Sequence, residues 1–177
     1  MPVAPSHEKK PFALYNRSAL PDSTGTIEGA AGVWFYKREP DGLYILFQKR
    51  SKNVHNAGFY DMTAGGHIDA GEEASPISVA IREAKEEVGV SLAPEELDFL
   101  VSYISGDRYI FVYASDRTGK SDQFSLDEYE VESLKWVKVS ELETFAEQHA
   151  KKPLRENPLH LPALKFYFSA LESDGNL

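Results

Sequence analysis

The chain has 177 residues, 42% of them hydrophobic and 27% charged, with a formal net charge of −9 and no cysteine. This balance is typical of one folded domain and excludes a disordered or membrane-spanning protein, because no apolar run approaches the roughly 20 residues of a transmembrane helix. The absence of cysteine excludes disulfides and thiolate metal sites. The acidic charge argues against a nucleic-acid polymer as partner, and the first residues lack the apolar region of a signal peptide, so we expect a cytoplasmic location.

The N-terminal part of the chain is predicted to contain an irregular arm followed by a hairpin. Residues 1–25 are rich in Pro, Ser and Lys, and we expect them to precede a single domain over residues 26–177. Strands are predicted at 27–36 and 43–49, because these stretches are rich in strand-forming residues and flank a turn signal at 39–42.

The central stretch, GGHIDAGEEASPISVAIREAKEEVGV at 65–90, is predicted to be a glycine loop followed by a helix. Its glycines, Gly65 and Gly66 among them, are expected to let the backbone turn where a Cβ would clash. Ser75-Pro76 is typical of a helix start, and Gly89 marks the end. The apolar residues recur at helical spacing and predict one buried stripe, formed by Ile77, Ala80, Ile81, Ala84 and Val88.

Four charged residues, Arg82, Glu83, Glu86 and Glu87, are predicted to project from the other side of this helix. Three carboxylates then crowd into roughly 140° of arc beside one cation. Like charges at such spacing cost a few tenths of a kcal/mol each, which a bound divalent cation would offset, since oxygen ligands suit Mg²⁺ or Mn²⁺. For three glutamates taken alone, a solvated acidic face is the alternative.

The rest of the chain alternates between strands and helices. Strands are predicted at 97–105, 109–114 and 132–139, a helix is predicted to begin after Ser140 as N-cap, and a last apolar helix is predicted at 163–171. Strands interrupted by helices predict an α/β domain with helices packed on a mixed sheet.

The motif at 82–90, REAKEEVGV, resembles the second half of the Nudix box, G-x5-E-x7-R-E-U-x-E-E-x-G-U with U apolar. Gly66 and Glu72 match its first half, although nine residues rather than seven separate Glu72 from Arg82. Either the loop carries two extra residues before the helix, or Ala74 takes the place of the glutamate. The resemblance implies an α/β/α sandwich and a hydrolase that uses Mg²⁺ or Mn²⁺ to cleave a diphosphate linkage in a nucleoside diphosphate derivative.

The same resemblance implies roles for individual residues. Glu83, Glu86 and Glu87 would bind metal together with the backbone carbonyl of Gly66, and Glu83 could instead act as the base on water. Arg82 would orient the glutamates. A further metal ligand is implied in the loop before the strand that contains Trp136, where Glu130 is the first choice and Glu128 and Glu132 compete with it.

The substrate contacts are less constrained by the sequence. Lys49 and Arg50, at the end of a predicted strand, could grip phosphates or form a solvated strand end. His67 could contact the substrate or bond only to the backbone of its loop. The apolar residues of the last helix are expected to be core or a homodimer contact.

Residues 59–67, FYDMTAGGH, also resemble the Nudix branch that includes isopentenyl-diphosphate isomerases. Gly65 stands where those isomerases carry a catalytic cysteine, and Gly106-Asp107-Arg108 stands where they carry paired metal-site glutamates. A hydrolase is therefore favoured over an enzyme acting on isoprenoid diphosphates. The other alternative is a non-catalytic sensor or regulator that binds a nucleotide, which the retained glutamates disfavour.

Overall fold

The computed structural model describes residues 28–69, 75–105, 108–149, 164–165 and 167–171. Within these residues the chain forms seven strands in one mixed sheet, two α-helices and a helical C-terminal stretch. The strands are β1 (Glu28–Glu39), β2 (Gly42–Arg50), β3 (Tyr60–Asp61), β4 (Ala64–Ile68), β5 (Asp98–Ser105), β6 (Arg108–Asp116) and β7 (Val131–Lys138). The helices are α1 (Pro76–Val88) and α2 (Leu142–Gln148).

Strand β1 is the centre of the sheet, whose order is β3-β2-β1-β6-β5, with β4 paired to β1 and β7 to β2. One edge of β1 runs parallel to β6, whereas its other edge changes partner halfway. The first half of that edge pairs with β4 and the second half with β2, so the sheet splits between β4 and β2. The hydroxyl of Thr63 bridges the split, because it accepts a bond of 2.9 Å from the Phe35 amide and donates one of 2.6 Å to the Leu46 carbonyl.

The alternation of side chains along β1 places a core on each face of the sheet. Val33 and Phe35 pack with the apolar side of α1, whereas Trp34 and Tyr36 pack in a second core with α2. Phe168, in the C-terminal helical stretch, is fully buried in that second core. The sheet is therefore covered by helices on both faces, and the predicted α/β/α sandwich is confirmed.

Most predicted elements form close to their predicted positions, and the hairpin of β1 and β2 turns at Pro40-Asp41. Among the residues that the structure describes, no helix has the length and apolarity needed to cross a membrane. The arm at 1–25 and the turn at 106–107 lie outside the described residues.

Two local predictions are wrong. Gly65 and Gly66 belong to strand β4 rather than to a turning loop. A Cβ built on Gly65 would lie 3.1 Å from the Cα of its partner Gly32, so close strand approach is what favours glycine there. Ser140 is not an N-cap, because it lies inside a 3-10 turn (Val139–Glu141) that runs directly into α2.

Candidate active site

Helix α1 carries most of the candidate site, and its ends are the predicted ones. Pro76 occupies the first turn, while the hydroxyl of Ser75 lies 2.7 Å from that of Ser78 and makes no capping bond to the backbone. At the other end Gly89 has φ of 72°, and its amide donates to the Lys85 carbonyl at 3.1 Å. A left-handed residue of this kind closes the helix and turns the chain away from it.

The predicted orientation of the charged residues is wrong for two of the four. Glu83 and Glu87 are only 9% and 3% exposed, so they lie on the buried side of α1, together with Ala80 and Ala84. Because Glu83 and Glu87 are four residues apart, they lie on one face of the helix. The helix packs on β4 and β1. Arg82 and Glu86 remain on the more exposed side.

The carboxylate of Glu87 lies between β4 and β2, where the sheet splits. Its Oε2 atom accepts a hydrogen bond of 3.0 Å from the Gly65 amide and one of 3.2 Å from the Gln48 side chain. The pKa of Glu87 is raised to about 8, mainly by burial. The neighbouring charges of Glu83, Glu130 and Asp61 add to this rise, and the Gly65 bond opposes it. A divalent cation would favour the ionised form of such a group.

Arg82 joins the other two carboxylates. Its NH1 atom lies 2.8 Å from Glu83 Oε1 and 3.0 Å from Glu86 Oε2, and its NH2 atom donates to the carbonyl of His67 at 3.2 Å. The pKa of Glu83 is raised by burial, which outweighs the lowering effect of the Arg82 charge. Arg82 thus ties α1 to β4 and holds two carboxylates next to each other.

Gly66 lies directly against Glu83. A Cβ built on Gly66 would be 2.1 Å from Glu83 Oε1, so only glycine leaves room for this carboxylate. The close approach brings the Gly66 backbone beside Glu83.

Glu130 comes to the site on a loop that closes the end of α1. The amides of Ser125 and Asp127 donate to the carbonyls of Val88 and Glu87 at 3.1 and 3.0 Å. The Ser51 amide donates to the Glu130 carbonyl at 2.9 Å, which fastens the loop to β2. The charge of Glu130 contributes to the raised pKa of both Glu83 and Glu87.

The competing candidates for the extra ligand have other surroundings. Glu128 is exposed. Glu132 is also exposed, and its carboxylate lies 2.5 Å from the ammonium of Lys49.

The predicted phosphate contacts are not gathered at one point. Lys49 is paired with Glu132, and Arg50 donates to the His55 carbonyl at 2.8 Å and lies 3.7 Å from Asp61. The side chain of His67 is exposed on β4, next to Gly66. Arg50 is therefore held inside the protein by its own partners.

Two buried polar residues that were not expected from the sequence, Gln48 and Asp61, are paired across β2 and β3. The sequence contained a signal for Gln48. Side chains alternate between the two faces of a strand, so Gln48 in LYILFQK falls on the same face as Leu46. An amide at a core position indicates a polar partner.

An open cavity of about 630 Å³ adjoins the loop that closes α1. Its walls mix apolar and polar side chains. The residues lining it are Ser51, Lys52, Asn53, Phe124, Ser125, Leu126, Glu128, Val131 and Glu132.

The donor chemistry of the site fits a hard divalent cation. Among the described residues, no three His, Asp or Glu side chains already stand in a metal-binding arrangement. Glu83 and Glu86 nevertheless meet at Arg82, and Glu83 lies against Gly66. Carboxylate and carbonyl oxygens are the ligands that Mg²⁺ and Mn²⁺ prefer. The groups that would hold such an ion are the side chains of Glu83, Glu86, Glu87 and Glu130 and the Gly66 carbonyl.

Known proteins resemble this chain in sequence and in fold. An uncharacterized Nudix hydrolase of Clostridium acetobutylicum is 28% identical over 121 residues, which cover 63% of this chain and 57% of that protein. The chain thus spans little more than half the length of this relative.

Two solved structures share the fold. An Ap4A hydrolase of C. elegans, solved as a binary complex, superposes with a TM-score of 0.61 and 19% identity, covering 83% of this chain and 99% of that one. The NUDIX domain of Shewanella oneidensis NrtR, solved with ADP ribose, gives a TM-score of 0.60 and 18% identity over 90% and 95% of the two chains.

A family model, described as the NUDIX domain, matches residues 27–157 of this chain. This range contains the sheet, α1 and the loop that carries Glu130, and it is most of the chain. The chain therefore belongs to the NUDIX domain family.

Proposed function

We propose that this protein is a divalent-metal-dependent hydrolase that cleaves the diphosphate linkage of a nucleoside diphosphate joined to another group. The observation that carries the proposal is the cluster of three carboxylates that α1 brings to β4. Arg82 joins Glu83 to Glu86, and Glu87 accepts a bond from the Gly65 amide. Burial of two of these carboxylates raises their pKa values, and such a cost is typical of functional sites rather than solvated helix faces.

Individual residues of this chain have separate roles in the proposed reaction. Bound Mg²⁺ or Mn²⁺ would neutralise phosphate charge and lower the pKa of the attacking water. Glu86, Glu87 and the Gly66 carbonyl would hold the cation, and Glu130 would add a further ligand. Glu83 lies beside Gly66 and is placed either to bind metal or to accept the proton of the water.

Arg82 acts by orientation in this proposal. Its guanidinium is engaged by two carboxylates and by the His67 carbonyl, so it holds the metal ligands rather than the substrate. His67, which is exposed next to Gly66, is the proposed contact to phosphate. Lys49 is less favoured, because Glu132 already pairs with its ammonium. Arg50 is a weaker choice, because Asp61 and the His55 carbonyl already occupy its guanidinium.

The substrate class is proposed from the structures with the same fold. The open cavity beside the Glu130 loop is lined by none of the α1 glutamates, so the structures with the same fold carry the choice of substrate class. The C. elegans protein is called an Ap4A hydrolase, and the NrtR domain binds ADP ribose. We therefore infer that a dinucleoside polyphosphate or an ADP-ribose-like compound is the class to test first.

The test is release of phosphate and nucleotide from a panel of diphosphates with Mg²⁺, with Mn²⁺ and with EDTA. The panel contains ADP-ribose, NADH, nucleotide sugars, dinucleoside polyphosphates, oxidised dGTP and isopentenyl diphosphate. We expect cleavage of one nucleotide class with metal and none with EDTA. Glu86→Gln should abolish turnover and leave the fold intact, because this side chain is 57% exposed and supports no core contact.

Nucleotide binding without cleavage of any compound would contradict the hydrolase. That result would favour a nucleotide-binding sensor instead, and the nine-residue spacing between Glu72 and Arg82 would be the first feature to alter. Glu72 itself lies outside the described residues.

A further inference from the structure

Gln48 is an amide in a place where a core residue is expected. It follows the buried run Ile45–Phe47 of β2 and lies on the same face as Leu46, which packs in the α1 core. Its side chain is only 2% exposed. Burying an amide without full hydrogen bonding costs roughly 1 to 3 kcal/mol, so an apolar residue of similar size would stabilise the fold better.

The amide of Gln48 makes one hydrogen bond to the described residues. Its Nε2 atom donates to Oε2 of Glu87 at 3.2 Å, and the Gly65 amide donates to the same oxygen at 3.0 Å. Its own Oε1 atom is buried without a hydrogen-bond partner in the described part of the chain. Of the four hydrogen bonds that a side-chain amide can make, Gln48 therefore makes one to the described residues, and that bond goes to Glu87.

A residue with a purely structural role would make a different set of hydrogen bonds. Thr63, another buried polar residue at the split of the sheet, uses its hydroxyl both to accept from Phe35 and to donate to Leu46, and so holds two strands together. Gln48 instead contacts a carboxylate on a helix through one atom. Two donors on one oxygen restrict rotation of the Glu87 carboxylate and leave its Oε1 atom for another ligand.

We propose that Gln48 is a positioning residue, which holds the Glu87 carboxylate in the orientation that binds the divalent cation. This inference rests on the proposed function, since it requires a metal ion on Glu87. Groups that orient a metal ligand typically change metal affinity by about 10- to 100-fold when they are removed. The role of Gln48 should thus be visible in metal binding itself, without any substrate.

The test is calorimetric titration of Mn²⁺ into the metal-free protein, with the thermal midpoint of each metal-free variant measured alongside. Gln48→Met keeps the approximate volume and removes the donor. We expect the Mn²⁺ affinity of this variant to fall by about 10-fold or more relative to the unaltered protein. Its thermal midpoint should be unchanged or higher, because a poorly satisfied amide has left the core. Gln148→Met is the matched control, since Gln148 is exposed at the end of α2, and it should bind Mn²⁺ as the unaltered protein does.

The outcomes separate the two proposals. Equal Mn²⁺ affinity of Gln48→Met and the unaltered protein, with a lower thermal midpoint, would overturn the positioning role and leave the metal site standing. Failure of the unaltered protein to bind Mn²⁺ would overturn the proposed metal site and this inference with it. If Gln48→Met does not fold, Gln48→Asn provides the same comparison, because its amide is one methylene too short to reach Glu87.

Discussion

Glu87 is a carboxylate that the fold buries almost completely, and its two hydrogen bonds do not compensate for the lost hydration. Burial raises its pKa to about 8 in the metal-free protein, whereas the ordinary value for a glutamate is 4.5. Between these two values the folded state keeps a proton that the unfolded state releases. The free energy of unfolding of the metal-free protein therefore falls as the pH rises from about 4.5 to about 8.

The variant Glu87→Gln tests this linkage. Without metal, the variant should gain stability relative to the unaltered protein as the pH rises from 5 to 8, by up to about 1.4 kcal/mol per pH unit, because the glutamine never has to ionise. Urea denaturation in EDTA at pH 5, 6, 7 and 8 measures the difference. A difference that does not vary with pH would contradict the raised pKa of Glu87.

Gly66 is required at its position by the neighbouring Glu83 rather than by its own backbone angles. Gly66→Ala would place a methyl group 2.1 Å from Glu83 Oε1, so the carboxylate must leave its position. We expect metal-dependent turnover to fall by about 10-fold or more, given the sensitivity of metal sites to ligand orientation. Far-ultraviolet circular dichroism should remain unchanged, and normal turnover of a folded Gly66→Ala protein would remove Glu83 from the reaction.

At the level of elements, the end of α1 and the loop that carries Glu130 form one unit. Gly89 ends the helix with a left-handed backbone, and a Cβ there would lie 2.7 Å from the Cβ of Ser125. Since the amide of Ser125 also bonds to Val88, the loop cannot retreat without losing that bond. The position of Glu130 thus depends on the glycine that ends α1.

Gly89→Ala should therefore cost more than an ordinary glycine replacement. Gly119 is the matched control, because it has a similar φ of 69° and no atom within 4 Å of a built Cβ. Gly119→Ala should lose about 1 kcal/mol from the left-handed backbone alone, and Gly89→Ala about 2 kcal/mol or more, with weaker Mn²⁺ binding. Denaturant unfolding measures the stability of both variants. Equal losses in the free energy of unfolding would show that the loop moves away from residue 89 without cost.

At the level of the whole molecule, metal binding should couple to stability. A ligand that binds only the folded state at 100 times its dissociation constant stabilises it by about 2.7 kcal/mol. We expect Mn²⁺ to raise the thermal midpoint of the unaltered protein and EDTA to reverse the effect. Glu87→Gln should show no rise at the same concentration, and an equal rise in both proteins would indicate that Mn²⁺ binds elsewhere.

The helix α1 and the hairpin could be predicted because their signals are local. The sequence alone indicates where the helix begins and ends, through Ser75-Pro76, Gly89 and the apolar stripe. The structure places the helix at Pro76–Val88. The orientation of Glu83 and Glu87 could not be predicted, because the helical period gives the angle between side chains but not which side meets the sheet. Hydrophobicity alone assigns glutamates to solvent, whereas the glycine at position 66 of the facing strand leaves room for Glu83.

By itself, the sequence determined the α/β class, the helix that carries the glutamates and the family to which the chain belongs, since these depend on local periodicity and on a contiguous motif. The tertiary structure alone decided that two carboxylates are buried and that Gln48 and Gly65 hold one of them. It also decided that the Glu130 loop docks on the end of α1. The physical reason is distance along the chain: 39 residues separate Gln48 from Glu87 and 22 separate Gly65 from Glu87. Contacts at such separations exist only after the sheet has split around Thr63 and the helix has packed on it.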